Sequence, residues 1–407
     1  MRVPWLDAPR SLLRVASVVG VAELGFATVV PLLPLYLKER LGASAALVGA
    51  VVATFAAVET IFKTTWGSLA DRVGRRPVIV SGLLLSSTAP IIMTILRSAW
   101  LFIPLRLVDG MGSAALWPVA AASIADKAAG ARRATAMGAL NMFFLSGLAI
   151  GPALGLYASA FLGGYTFGFY LASALLLTAA ALAALTFGDE DGHRSEPAAH
   201  PDRSPARTGG FLRVARRSPR LFSMLLVAFV QMFGVGLLAP ILAIYAHEVV
   251  RLSDQMIGTL FLVIVLAVAL ASVPGGRLAD RVGRPRAVIW GMVLASAGMW
   301  LLPLASRDRL PILGLAALLL GASYAVSSPA WLALMSEAAP RGATGMTMGA
   351  SETAQGAGLI IGPLIGGVLY DTLGPQTPFL ASAALLTAGA VLAARTLRVR
   401  GPAPTPS

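Results

Sequence analysis

The chain has 407 residues, 57% hydrophobic and 13% charged, with a formal net charge of +13, no cysteine and three histidines. Soluble domains usually carry about 25% charged residues, so lipid must cover much of this surface. The lack of cysteine excludes disulfides, thiolate metal sites and cysteine nucleophiles, and three unclustered histidines argue against a zinc centre.

A membrane-spanning helix needs ~20 mostly apolar residues. Twelve stretches qualify: 12–37, 44–66, 77–96, 99–125, 134–160, 164–187, 220–246, 254–275, 286–305, 309–337, 342–370 and 376–396. The first is longer than the ~7–15-residue core of a signal peptide and carries Glu23, Pro31 and Pro34, so a retained span is expected. Between the sixth and seventh lies a polar stretch, 188–219, with linker composition. Within it, Phe211 to Arg217 can form a short amphipathic helix on the inner leaflet. The predicted organisation is a six-helix bundle over 1–188, a cytoplasmic linker over 189–219, and a second bundle with a short tail over 220–407.

An even number of spans puts both termini on one side. With the N-terminus inside, only Lys38, Arg40, Arg97, Arg251, Arg307 and Arg309 fall in outer loops, and Lys63 and Arg106 stay in the membrane. The rest of the 32 lysines and arginines are inner. The positive-inside rule then predicts cytoplasmic termini, and it accounts for the net charge without nucleic acid.

The halves echo one another. Gly67 to Arg76 reads GSLADRVGRR; Gly276, 209 residues on, opens GRLADRVGR. Pro31 and Tyr36 recur as Pro240 and Tyr245. Pro118 and Asp126 recur as Pro329 and Glu337, and Gly147, Gly151, Pro152 and Gly155 recur as Gly358, Gly362, Pro363 and Gly366. Two halves of like orientation are parallel repeats, which place a substrate path near the midplane between them.

These motifs resemble those of the major facilitator superfamily, in its twelve-helix drug:proton antiporter type, over all but the linker and tails. Gly67 to Arg76 resembles the family's loop 2–3 signature. Gly25, Pro31 and Pro34 resemble its first-helix pattern. Arg106-Leu107-Val108-Asp109-Gly110 resembles the fourth-helix pattern, and the Gly147 to Gly155 run resembles the fifth-helix antiporter signature. Asp109, where the family more often has a neutral residue, and Leu156, in place of a last glycine, depart from it. The resemblance implies an all-α membrane protein of two pseudo-symmetric six-helix bundles, multi-pass in a bacterial inner membrane. It implies proton-driven export of small lipophilic or cationic compounds, with no cofactor beyond the proton gradient.

Ionisable groups at bilayer depth cost ~3 kcal/mol or more, so each needs a reason. Glu23 lies about eleven residues into its helix, roughly 16 Å deep at ~1.5 Å per residue. Asp109, Gln231 and Glu352 reach similar depth. Glu23 is the first candidate for proton coupling, the alternative being a structural hydrogen bond between helices. Arg106 and Asp109, three apart, share a helix face and form either a switching pair or a static one. The resemblance implies a coupling role for Arg106. Glu59 and Lys63, four apart, read as a salt bridge, or Lys63 reaches Glu352. Glu352 and Gln355 stand where the first half has Asn141 and Phe144. Tyr36, Trp117, Tyr324 and Trp331 offer either walls for a lipophilic cation or ordinary packing.

In the repeated phrase, glycine permits a tight turn. The resemblance implies that Asp71 meets the start of the eleventh span, and symmetry puts Asp280 at the start of the fifth. Arg72 pairs naturally with Asp126, and Arg281 with Glu337, because those acids repeat in step. Arg75 and Arg284 complete this candidate cytoplasmic gate; a pure topology signal is the alternative. Pro152 and Pro363 permit bends, and the glycines beside them pack closely, which fits a seam between the halves or a passive contact within a bundle.

The expected partners are a small-molecule substrate, protons and the bilayer, with no nucleic acid, and a monomer is expected. Uptake of a metabolite on the same fold is the alternative, followed by a non-transporting sensor. No phosphate-binding glycine loop supports an ATP-driven pump, and no catalytic constellation supports an enzyme.

Overall fold

The computed structural model describes residues 10–127, 132–188, 219–339 and 344–397. The linker, the Phe211–Arg217 amphipathic helix and both tails lie outside these. The described elements are helical: α1 (Arg10–Leu35, continued by a wide turn Tyr36–Arg40), α2 (Ala45–Val73), α3 (Arg75–Ile95), α4 (Phe102–Ser113), α5 (Leu116–Lys127), α6 (Arg132–Leu162) and α7 (Tyr165–Thr186). They continue with α8 (Pro219–Leu238), α9 (Ile241–Glu248), α10 (Asp254–Val282), α11 (Arg284–Leu301), α12 (Leu310–Ala338), α13 (Thr344–Leu373) and α14 (Thr377–Thr396). Among the described residues, 11 helical stretches are long and apolar enough to cross a membrane, and Asp254–Val268 adds a shorter apolar one.

Two predicted spans are broken helices. The fourth divides into α4 and α5, where Ala115 N–H bonds Gly112 instead of continuing the α-helical ladder. Trp66 Nε1 donates to the Met111 carbonyl at 2.6 Å. Pro118 just inside α5 cannot donate. The seventh divides into α8 and α9 at Ala239-Pro240, for the same reason. Serine side chains cap matching starts: Ser44 accepts from Leu47 N–H, and Ser253 from Met256 N–H. Such a cap is worth about 1 kcal/mol.

The chain divides into two compact units. The first is Met1–Arg203 with Ala243–Glu248 and Leu252–Leu262; the second is Ser204–Leu242, Val249–Arg251 and Val263–Ser407. Within the first, Val15 and Val19 of α1 pack with Ile79 and Leu83 of α3, Leu140 of α6 and Leu176 of α7. Within the second, Met224 and Ala228 of α8 pack with Val288 and Met292 of α11, Leu334 of α12 and Ala390 of α14. Lipid is as apolar as these side chains, so close packing and interhelical hydrogen bonds hold such bundles more than hydrophobic burial does. Ser173 Oγ donates to the Ser87 carbonyl at 2.6 Å in the first unit. In the second, Ser382 Oγ donates to Gly234 at 2.9 Å and Ser296 Oγ to Ala383 at 3.1 Å.

The glycine runs show why small residues recur. A Cβ at Gly151 would lie 2.6 Å from Ala27 Cβ, and one at Gly362 would lie 2.6 Å from the Gly236 backbone. Real Cβ atoms do not come that close. Gly147 and Gly155 likewise abut Glu23 and Thr28 of α1, and Gly358 and Gly366 abut Phe233 and Leu237 of α8. This corrects the expectation of a seam between the halves. Each stripe, with buried Pro152 or Pro363 inside its helix, packs within its own unit: α6 on α1, and α13 on α8.

Candidate functional site

The charged centre of the first unit lies where α2 and α4 pack together, with Glu23 of α1 within electrostatic reach. Arg106 and Asp109, 8% and 3% exposed, form an ion pair one turn apart on α4. The Arg106 guanidinium also sits 3.8 Å over the centre of the Phe55 ring, a cation–π contact. Its Nε, fully buried, has no hydrogen-bond partner among the described residues. Ser86 Oγ donates to the Asp109 carbonyl oxygen at 3.0 Å and ties α3 to the same turn. A Cβ at Gly110 would lie 2.9 Å from the Phe55 carbonyl, so glycine brings α4 down onto α2 beside the pair.

Glu59 and Lys63 extend this centre along α2, with Lys63 Nζ 2.9 Å from Glu59 Oε1. Both are partly exposed. Glu23, half-buried on α1, lies within electrostatic reach of Glu59 and Lys63, and Glu59 lies within reach of Arg106 and Asp109. Three acids and two bases from three helices therefore lie within electrostatic reach, step by step, with direct contact at Glu59–Lys63 and Arg106–Asp109. In this set Glu59 is the link that sequence reasoning placed only in a salt bridge. Phe55 was missed altogether. Its signal was spacing: Phe55, Glu59 and Lys63 are four apart and share one face of α2.

The second unit's candidates stand differently. Gln231 on α8 is half-buried; Tyr324 on α12 and Glu352 on α13 are exposed. Gln355 Nε2 donates to Ser351 Oγ at 3.2 Å, and Trp331 Nε1 reaches the same oxygen at 3.3 Å. Trp331 is thus buried packing. So is Tyr36, edge-on to Phe169 at 5.3 Å, and Trp117 packs edge-on to Phe144 at 5.0 Å.

The repeated phrase is helical almost to its end. Helix α2 runs through Val73 and α10 through Val282; single glycines then turn the chain, Gly74 at φ 95° and Gly283 at φ 88°. Only glycine adopts such angles without strain. The pairing expected of Arg72 and Arg281 falls instead to their neighbours: Arg75 pairs with Asp126, and Arg284 with Glu337. The reason is the turn. Arg72 and Arg281 sit on exposed helix faces, whereas Arg75 and Arg284 open the next helix. Asp71 is exposed, and the side chain of Asp280 lies outside the described residues.

A further polar cluster was absent from the sequence reading. Glu39, just past α1, accepts from Tyr165 Oη at 2.8 Å and lies 2.6 Å from His247 Nδ1. Tyr165 Oη is 3.5 Å from Asp254 Oδ1. All four residues belong to the first unit, although His247 and Asp254 come from α9 and α10.

Residues 15–232 and 224–407 each match the family model of the Major Facilitator Superfamily. The chain is similar to Multidrug resistance protein 2 of Bacillus subtilis (strain 168), 26% identical over 380 residues that cover 92% of both chains. It is similar to the class G tetracycline resistance protein of Vibrio anguillarum, 29% identical over 363 residues, 87% of this chain and 88% of that one. Among solved structures, a mutant form of the nucleoside transporter NupG shares the fold, with a TM-score of 0.83 at 12% identity over 96% of this chain and all of that one.

Proposed function

The chain belongs to the Major Facilitator Superfamily, and on that footing we propose that it exports small lipophilic or cationic compounds by proton antiport. It is a secondary transporter of the multi-pass membrane class and not an enzyme. Relatives named for multidrug and tetracycline resistance support the direction of transport. The observation that carries the coupling is the set of Glu23, Glu59, Asp109, Lys63 and Arg106 inside one unit.

An acid at bilayer depth that faces both acids and bases can exchange a proton for a cation. In this reading Glu23 alternately holds a proton and faces a cationic substrate. Glu59, between Glu23 and the Arg106–Asp109 pair, passes the change in charge to α4. Phe55 holds the guanidinium in place while the charge around it changes. Arg75–Asp126 and Arg284–Glu337 act as a matched pair of inner latches, with Asp71 beside the first. Both termini lie in the cytoplasm of a bacterial cell, and the working form is a monomer that needs only the proton gradient.

The test is transport in proteoliposomes with an imposed pH gradient, against a panel of lipophilic cations, neutral drugs and sugars. Gradient-driven accumulation of a lipophilic cation is expected, and Glu23→Gln should abolish the dependence on the gradient. Sugar uptake down its own gradient, with no response to cations, would overturn export in favour of uptake. Proton-driven export retained by Glu23→Gln would remove Glu23 from the mechanism.

A further inference from the structure

Residues Ala243–Glu248 and Leu252–Leu262 belong by contact to the first unit, yet the chain before them, the turn Val249–Arg251 and the chain after them belong to the second. Its attachment is polar. His247, near the end of α9, faces Glu39 at 2.6 Å, and Tyr165 Oη bridges from Glu39 at 2.8 Å to Asp254 at 3.5 Å. Farther along, Tyr157 Oη lies 2.9 Å from Thr259 Oγ1, and Gly258 lies flat on Ala153 and Leu156 of α6. We propose that 243–262, through its two stretches either side of the turn 249–251, is a strap clasped onto the first unit by a proton-binding site made of His247, Glu39, Tyr165 and Asp254.

The geometry supplies the proton dependence. The groups that face one another are Glu39 from the end of α1, Tyr165 from the start of α7, His247 from α9 and Asp254 from the start of α10. Lys38, Arg40, Glu248 and Arg251 flank them in sequence. The cluster sets two carboxylates and a phenol against one imidazole. A neutral imidazole leaves two carboxylates facing each other across Tyr165, and a protonated one adds a positive charge to them. Closure therefore takes up a proton. A state that binds extra protons is favoured on the acid side and lost as pH rises. His247 and Glu39 are 34% and 28% exposed, so protons can reach them. The site lies at the start of α2, the end away from the Arg75–Asp126 latch. Only the physiological direction rests on the function proposed above: with inner termini, the clasp faces the acidic outer side.

The chain has no cysteine, so an introduced pair reports cleanly. A Cβ at position 258 lies 3.4 Å from Leu156 Cβ, near the separation found in disulfides. Leu156→Cys with Gly258→Cys in the full chain, in lipid nanodiscs with copper–phenanthroline as oxidant, measures strap closure from pH 5.5 to 8.5. Thiolate chemistry changes with pH in every background, so each rate is compared with the same pair in His247→Gln. The expected ratio is at least about threefold at pH 5.5, falling toward one at pH 8.5. Tyr165→Phe should slow cross-linking at both ends of the range. Thermal stability of each variant checks folding, and if Tyr165→Phe does not fold, the comparison with His247→Gln carries the test. The same pH profile with and without His247 overturns the clasp. The assay uses neither substrate nor gradient, so its failure leaves the export reading standing, and a failure of export leaves the clasp standing.

Discussion

The two units keep the same frame and differ in charge. Turn glycines, arginine–acid pairs and glycine stripes recur at matching positions in both. The charged centre does not. At the repeat spacing, Glu23, Glu59 and Lys63 correspond to Met232, Val268 and Ser272, and Arg106 and Asp109 correspond to Ala317 and Leu320. What must be duplicated is the packing that lets two bundles form alike. Ion chemistry needs to exist once, and the second unit shows that the frame stands without it.

The sharpest way to break this comparison is to rewrite the first unit as the second. Arg106→Ala alone leaves Asp109 as an uncompensated buried charge. Breaking a buried pair in this way costs about 3–5 kcal/mol, read as a large fall in thermal stability with loss of transport. Arg106→Ala with Asp109→Leu, the pair the second unit carries, should recover most of that stability while transport stays lost. Recovery of transport would mean that the pair serves structure alone.

The frame predicts equal effects in both units. Gly151→Ala and Gly362→Ala each place a Cβ about where another atom sits, and overpacking of this kind costs about 1–3 kcal/mol. Their melting temperatures should fall together; a clear difference would mean that one stripe tolerates separation and the other does not. The latches should differ by less. Arg75 is buried, its side chain 8% exposed, while that of Arg284 is 40% exposed. Exposed pairs contribute about 0–1 kcal/mol, so Arg284→Ala should barely move stability and Arg75→Ala should move it more. Asp71→Asn should be the smallest change in stability. Reduced transport with an unchanged melting curve would give this exposed acid a role in gating, and full transport would end that role.

Sequence alone determined the class, the duplication and the frame. Apolar runs of spanning length, arginines gathered on one side, and glycines and prolines repeating in step are local properties, and local rules read them. It also marked Arg106, Asp109, Glu59 and Lys63, because helical spacing sets which neighbours share a face. Tertiary structure alone decided which elements meet. The pairs with Asp126 and Glu337 fell to Arg75 and Arg284 because a single positive-φ glycine, not a loop, turns the chain. The glycine stripes went to α1 and α8, since close approach depends on which helix lies opposite. Phe55 under Arg106 and the Glu39–Tyr165–His247–Asp254 cluster bring together residues far apart in the chain, and no periodicity encodes contacts of that kind.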